Sequence, residues 1–144
     1  VGYGNPHTIG FWKHQVKSSG HNCGCNHGCH HNCHHGCNTT QVPQSLIQSW
    51  LPISVFNYKY KTIKDLEKAL WLKHANMYER ARQQCLATKL NVAYGELNMS
   101  SWVDTDRDGA GDMTVKTALE TAQNAYFSGN PEAAKTICDN INNL

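Results

Sequence analysis

The chain has 144 residues, the length of one compact domain. Its charged fraction is 17% and its formal net charge +2, with no run of Lys or Arg longer than two. That excludes the basic footprint of a nucleic-acid binder. No apolar run approaches the ~20 residues that a membrane-crossing helix needs.

Residues 1–19 are a short opening segment containing Gly10-Phe11-Trp12-Lys13-His14. The first residue is Val1 rather than Met, a start that favours export because cleaved secretory leaders leave it. Residues 20–38 differ in kind. Of the chain's 7 Cys and 9 His, five Cys and six His lie here: His21, Cys23, Cys25, His27, Cys29, His30, His31, Cys33, His34, His35 and Cys37. Glycines and asparagines fill the gaps, and almost nothing apolar is available to bury. Such a stretch builds no hydrophobic core, so metal or cross-links must order it. It reads as an insertion into an ordinary domain.

Thiolate and imidazole are preferred ligands of Zn(II) and Cu ions, and four suffice for a tetrahedral site. Eleven such side chains can hold two or three ions, with Cu or Zn the first expectation. Cys25, Cys29, Cys33 and Cys37 recur every four residues, unlike the two separated ligand pairs of most zinc fingers. A second reading is covalent haem. Cys25-x-x-x-Cys29-His30 and Cys29-x-x-x-Cys33-His34 are one residue longer than the common Cys-x-x-Cys-His motif and resemble rare variants of c-type attachment sites. They share Cys29, so one alone is usable. A third reading is a disulfide knot. It accounts for the cysteines but not the histidines, and seven is odd, so at least one thiol is free, ligated or intermolecular.

Beyond this segment the pattern is helical. Residues 43–50 predict a short helix closed by Pro52, and Val55 to Tyr60 alternate as one short extended strand. Thr62 with Asp65 three residues on forms a capping box ahead of Leu66, Ala69, Leu70 and Lys73 at helical spacing. The strongest helix runs from Met77 to Tyr94, with Ala81, Cys85, Leu86, Leu90 and Ala93 near one stripe and Gly95 as its stop. Thr114 starts a helix whose apolar face is Val115, Ala118, Leu119, Ala122, Ala125 and Tyr126. Asn130-Pro131-Glu132 opens the last one, which buries Ala134, Ile137, Cys138 and Ile141. Cys85 and Cys138 both fall on apolar faces. They are buried thiols or, if their Cα atoms come within about 7 Å, a helix–helix disulfide.

Asp104-Thr-Asp106-Arg-Asp108-Gly109-Ala110-Gly-Asp112 carries carboxylates at positions 1, 3 and 5 of a loop with Gly at 6. Ca(II) takes six to eight oxygens, and this spacing supplies several. Asp104, Asp106 and Asp108 would give side chains, Ala110 its carbonyl, and Asp112 a direct or water-bridged contact. Position 12 is Val115, so the loop is not a complete EF-hand. Over about nine residues it resembles the calcium loops of dockerins and thrombospondin type 3 repeats, which implies an extracellular Ca(II) site of weak affinity. Asn38-Thr39-Thr40 and Asn98-Met99-Ser100 fit the N-glycosylation pattern.

Gly10-Phe11-Trp12-Lys13-His14 and Leu86-Ala-Thr-Lys89-Leu90-Asn91-Val92-Ala93-Tyr-Gly95, with the later helix, resemble a group of secreted microbial surface proteins. Those carry a Gly-Tyr/Phe-Trp-Lys-Asn-His start and an Ala-Ala-Lys-Leu-Asn-Val-Ala-x-Gly helix. His14 stands where that pattern has Asn, and the Cys/His segment is an addition. The resemblance implies export and a helical domain and supplies no catalytic residues. Phe11, Trp12, Leu90 and Val92 are then core residues, while Lys89 and Asn91 are expected to hold the opening segment by hydrogen bonds. His7, His14 and His74 are expected at the surface or hydrogen-bonded in the core.

No phosphate loop, nucleophile elbow or zinc-protease motif is present in the sequence. The expected fold is mainly α: about four helices built from residues 1–19 and 39–144, carrying the inserted segment 20–38 and the Asp-rich loop. The expected role is a secreted, non-enzymatic surface protein that binds transition metal and Ca(II) and self-associates into a filament or layer. The alternatives are an extracellular electron carrier with haem or copper and a metal-sequestering protein.

Overall fold

A computed structural model describes residues 6–17 and 42–144. The fold is mainly α. Among the described residues the helices are α1 (Ile9–Gln15), α2 (Gln44–Ser49), α3 (Ile63–Leu70), α4 (Met77–Tyr94), α5 (Val115–Phe127) and α6 (Pro131–Asn142). Two short antiparallel ladders accompany them: β1 (Ile53–Val55) with β2 (Tyr58–Tyr60), and β3 (Trp102–Val103) with β4 (Met113–Thr114).

Local chemistry sets the helix ends. Thr62 and Asp65 exchange side-chain and backbone bonds as a capping box at the start of α3, and Asn76 and Glu79 do the same for α4. Gly95 closes α4 with φ of 95°, a left-handed conformation that glycine adopts without a Cβ clash. Asn130 caps α6 with Pro131 in its first turn.

Among the described helices, α6 packs extensively on both α4 and α5. The burial of α4 extends past one apolar stripe. Gln83, Gln84, Thr88 and Asn91 are buried with Ala81, Cys85, Leu86 and Leu90, whereas Ala93 is exposed. Buried polar groups are tolerated when hydrogen-bonded. Thr88 Oγ1 donates to Asn142 Oδ1 at 2.8 Å, and Asn142 Nδ2 donates to the Gln84 carbonyl at 2.9 Å. A disulfide joins Cys85 of α4 to Cys138 of α6, with Cα atoms 5.0 Å apart.

The opening segment is helical at α1 and docks through Asn91. Asn91 Oδ1 accepts from the His7 amide at 2.8 Å and the Trp12 indole at 3.1 Å, while Nδ2 donates to the His7 carbonyl at 2.9 Å. Trp12 is fully buried, edge-on to Phe11, Trp50 and Tyr94. Burying so large a ring stabilises the fold by a few kcal/mol provided its N–H finds an acceptor, and Asn91 is that acceptor. Lys89 does not share this role. Its Nζ donates to the Ser54 carbonyl at 2.7 Å and so holds β1 to α4.

Two further expectations change. Residues 55–60 are not one extended strand but the end of β1, the turn and the second strand of a hairpin, with Phe56 at φ of 56°. Helix α3 ends at Leu70, short of Lys73, and Trp71 is its C-cap.

Candidate metal sites

The Asp-rich loop is closed at its base by the β3–β4 ladder, which pairs Trp102 with Thr114 and Val103 with Met113. The Asp112 amide donates to the Val103 carbonyl at 2.9 Å. Turn chemistry then folds the loop inward. Asp104 Oδ1 accepts from the amides of Asp106 and Asp108 at 3.2 Å each, and Oδ2 from Gly109 at 2.7 Å. Asp108 Oδ1 accepts from the Ala110 amide at 2.9 Å. Arg107 and Gly109 take positive φ, 63° and 91°, which reverses the chain. Helix α6 holds the outer side: Arg107 Nε donates to Asn140 Oδ1 at 2.6 Å, and Asn140 Nδ2 to the Thr105 carbonyl at 2.7 Å.

The result gathers Asp104, Asp106 and Asp108, with one carboxylate oxygen from each lying within 4.8 Å of the others. At Ca–O distances of 2.3–2.6 Å, two oxygens on one ion stand at most about 5 Å apart, so the spacing suits a shared Ca(II). Crowding of carboxylates also perturbs them. Desolvation, the proximity of Asp104 and the charge of Asp108 push the Asp106 carboxyl above its ordinary value. Desolvation acts the same way on Asp104, but hydrogen bonds from Gly109 and its neighbours outweigh it and hold that carboxyl low. A cation would relieve the repulsion.

Asp112 is not in this group. Its two carboxylate oxygens accept from the Thr105 hydroxyl at 3.0 Å each. Ala110 is exposed in the loop, and Val115 at position 12 is fully buried in the core.

The eleven candidate Cys and His ligands, from His21 to Cys37, and the glycosylation candidate Asn38 lie outside the described residues. Asn98 is exposed, and its Oδ1 accepts from the Ser100 amide at 2.9 Å. What the structure does describe is the two chain ends that flank the Cys/His segment. Buried Gln15, the last residue of α1, accepts the Val42 amide on Oε1 at 2.9 Å. Gln44 Nε2 donates to the carbonyls of Gln15 and Lys17 at 3.3 and 2.8 Å. Residues 15–17 and 42–44, which flank the Cys/His segment in sequence, therefore lie side by side. Beside them Trp71 Nε1 donates to the Lys13 carbonyl at 2.9 Å, and the Lys13 and Lys17 ammoniums lie 4.9 and 5.2 Å from its ring centre. His14 and His74 are exposed, and His7 is half-buried. The sequence offered no signal for Gln15 or Gln44, because their roles depend on a contact across 27 to 29 positions.

The cysteine arithmetic tightens. With Cys85 and Cys138 paired, five cysteines remain, all between Cys23 and Cys37. Five is odd, so at least one of them stays free, ligates a metal or pairs with another chain.

No protein-family model matches this chain, and neither a curated protein nor a solved structure matches it.

Proposed function

We propose that this protein is an exported, non-enzymatic surface or matrix subunit whose helical domain displays the Cys/His segment for transition-metal binding and self-association. The observation that carries this reading is the closed base formed by Gln15, Val42 and Gln44. These bonds anchor both flanks of the Cys/His stretch to the helical domain without drawing on any of its Cys or His. The disulfide between α4 and α6 supports export, since such bonds persist in oxidising compartments. The surplus cysteine supports cross-linking between chains. Asp104, Asp106 and Asp108 would hold Ca(II) and fix the loop ahead of α5, at the sub-millimolar to millimolar affinity of extracellular modules.

The test is a non-reducing gel of the purified full chain together with its visible spectrum. Disulfide-linked or metal-dependent multimers without a Soret band are the expected result. A Soret band would replace the scaffold with a haem-bearing electron carrier, the reading that the two Cys-x-x-x-Cys-His spacings support. Strict monomers under all conditions would contradict self-association.

A further inference from the structure

A groove of about 300 Å³ lies between β2, α3 and the start of α4, and its walls include Tyr58, Tyr60, Asp65, Lys68, Glu79 and Arg82. This is the low end of the ~300–1,000 Å³ range of small-molecule sites. Three of its polar groups, Asp65, Glu79 and Arg82, are held by the protein rather than waiting for a ligand to order them. Asp65 Oδ2 accepts from the amides of Lys61 and Thr62 at 3.0 and 3.2 Å, and Glu79 Oε1 accepts from the Asn76 amide at 2.9 Å. Both carboxylates are thus fixed by the capping boxes, and each uses one oxygen in doing so. The Arg82 guanidinium lies 3.9 Å from the Tyr58 ring centre and donates to the Tyr126 hydroxyl. Desolvation pushes the Tyr60 hydroxyl up to about 12, against the opposing pull of Arg82.

Fixed groups of this kind lower the ordering cost of binding. Their signs decide the ligand class. Lys59, Lys68 and Arg82 are offset by Asp65 and Glu79, which argues against a simple anion site. Tyr58 is 46% exposed, and with Ala69 and Leu72 it adds apolar surface. A neutral ring with hydroxyls on its rim and C–H groups on its faces matches both features. We propose that this groove binds a neutral saccharide, with the second oxygens of Asp65 and Glu79 accepting from its hydroxyls and Arg82 and Lys68 donating to them.

Saturation-transfer NMR of the full chain against D-glucose, D-galactose, D-mannose and N-acetyl-D-glucosamine tests this. At least one should bind saturably. Asp65→Asn with Glu79→Gln keeps an acceptor for each cap yet removes both charges, and should weaken that sugar at least about tenfold. If the double variant loses helix content, Lys68→Ala at an exposed side chain serves instead and should weaken the sugar too. The proposal is overturned if none of the four saturates, if affinity is unchanged in the folded variant, or if inorganic phosphate displaces the sugar.

Discussion

Gln15 accepts the backbone amide of Val42 at 2.9 Å, and both residues are buried, at 1% and 0% exposure. The bond joins the chain just before the Cys/His segment to the chain just after it. Gln15→Ala removes the acceptor and leaves the Val42 N–H buried without this partner. Unfolding free energy, read by denaturant titration, should fall by about 1–3 kcal/mol. Replacing residues 20–38 by a short Gly/Ser linker should leave the Cys85–Cys138 disulfide and a cooperative unfolding transition in place, since the tie lies outside the excised stretch.

The Cys85–Cys138 bond spans 53 positions. Loop-closure entropy for such a span corresponds to about 4 kcal/mol at 25 °C. A small domain is stable by only about 5–15 kcal/mol in total. The double variant Cys85→Ala, Cys138→Ala should therefore be folded but marginal, with a melting temperature far below that of the parent. A variant as stable as the parent would show that α4 and α6 pack sufficiently without the bond.

Calcium should act on stability through the Asp loop. At a Kd of about 10⁻⁴–10⁻³ M, 10 mM Ca(II) adds about 1.4–2.7 kcal/mol by linkage. Asp104→Ala with Asp108→Ala should abolish the difference between melts in Ca(II) and in chelator. An equal loss of stability in both buffers would identify a purely structural role for these carboxylates.

His7 gives the fold a pH dependence near neutrality. Its ring stacks on Phe11 with centroids 3.7 Å apart, and desolvation lowers its pKa below 6.5 despite Glu96 at 4.0 Å, which pulls the other way. The unfolded chain then binds a proton that the folded chain resists. The His7 contribution is complete above pH 6.5, erodes as the pH falls through that value, and levels off below the lowered folded-state value. Chemical denaturation across this window should show a decline that is absent in His7→Gln, whose backbone bonds to Asn91 remain.

Much of this architecture was legible in the residues. The Thr62–Asp65 capping box, the Gly95 stop, the Asn130-Pro131 start and the burial of Ala118, Leu119 and Ala122 are local rules, and local rules survive folding. What failed was non-local. Helix α4 looked amphipathic with Ala93 on its inner stripe, but α6 and the opening segment cover other faces, so Thr88 and Asn91 are inside and Ala93 is outside. Lys89 and Asn91 looked alike as polar residues in one helix. They are two positions apart, so they face different neighbours, β1 and the opening segment. In the Asp loop, Asp104, Asp106 and Asp108 converge as their spacing predicted. Asp112, expected to act directly or through water, lies outside that trio and accepts from the Thr105 hydroxyl. The hairpin ladder that closes the loop was equally hidden, since strands of two residues leave no periodicity to read.

The central claim is that the helical domain carries a metal-binding Cys/His segment. Elemental analysis of the full chain beside the chain lacking residues 20–38, both purified without chelator, tests it most directly. The account predicts at least one equivalent of Cu or Zn per full-length chain and none in the shortened one, with both equally folded. Absence of near-stoichiometric transition metal from the full chain would contradict it and leave the segment to disulfides alone.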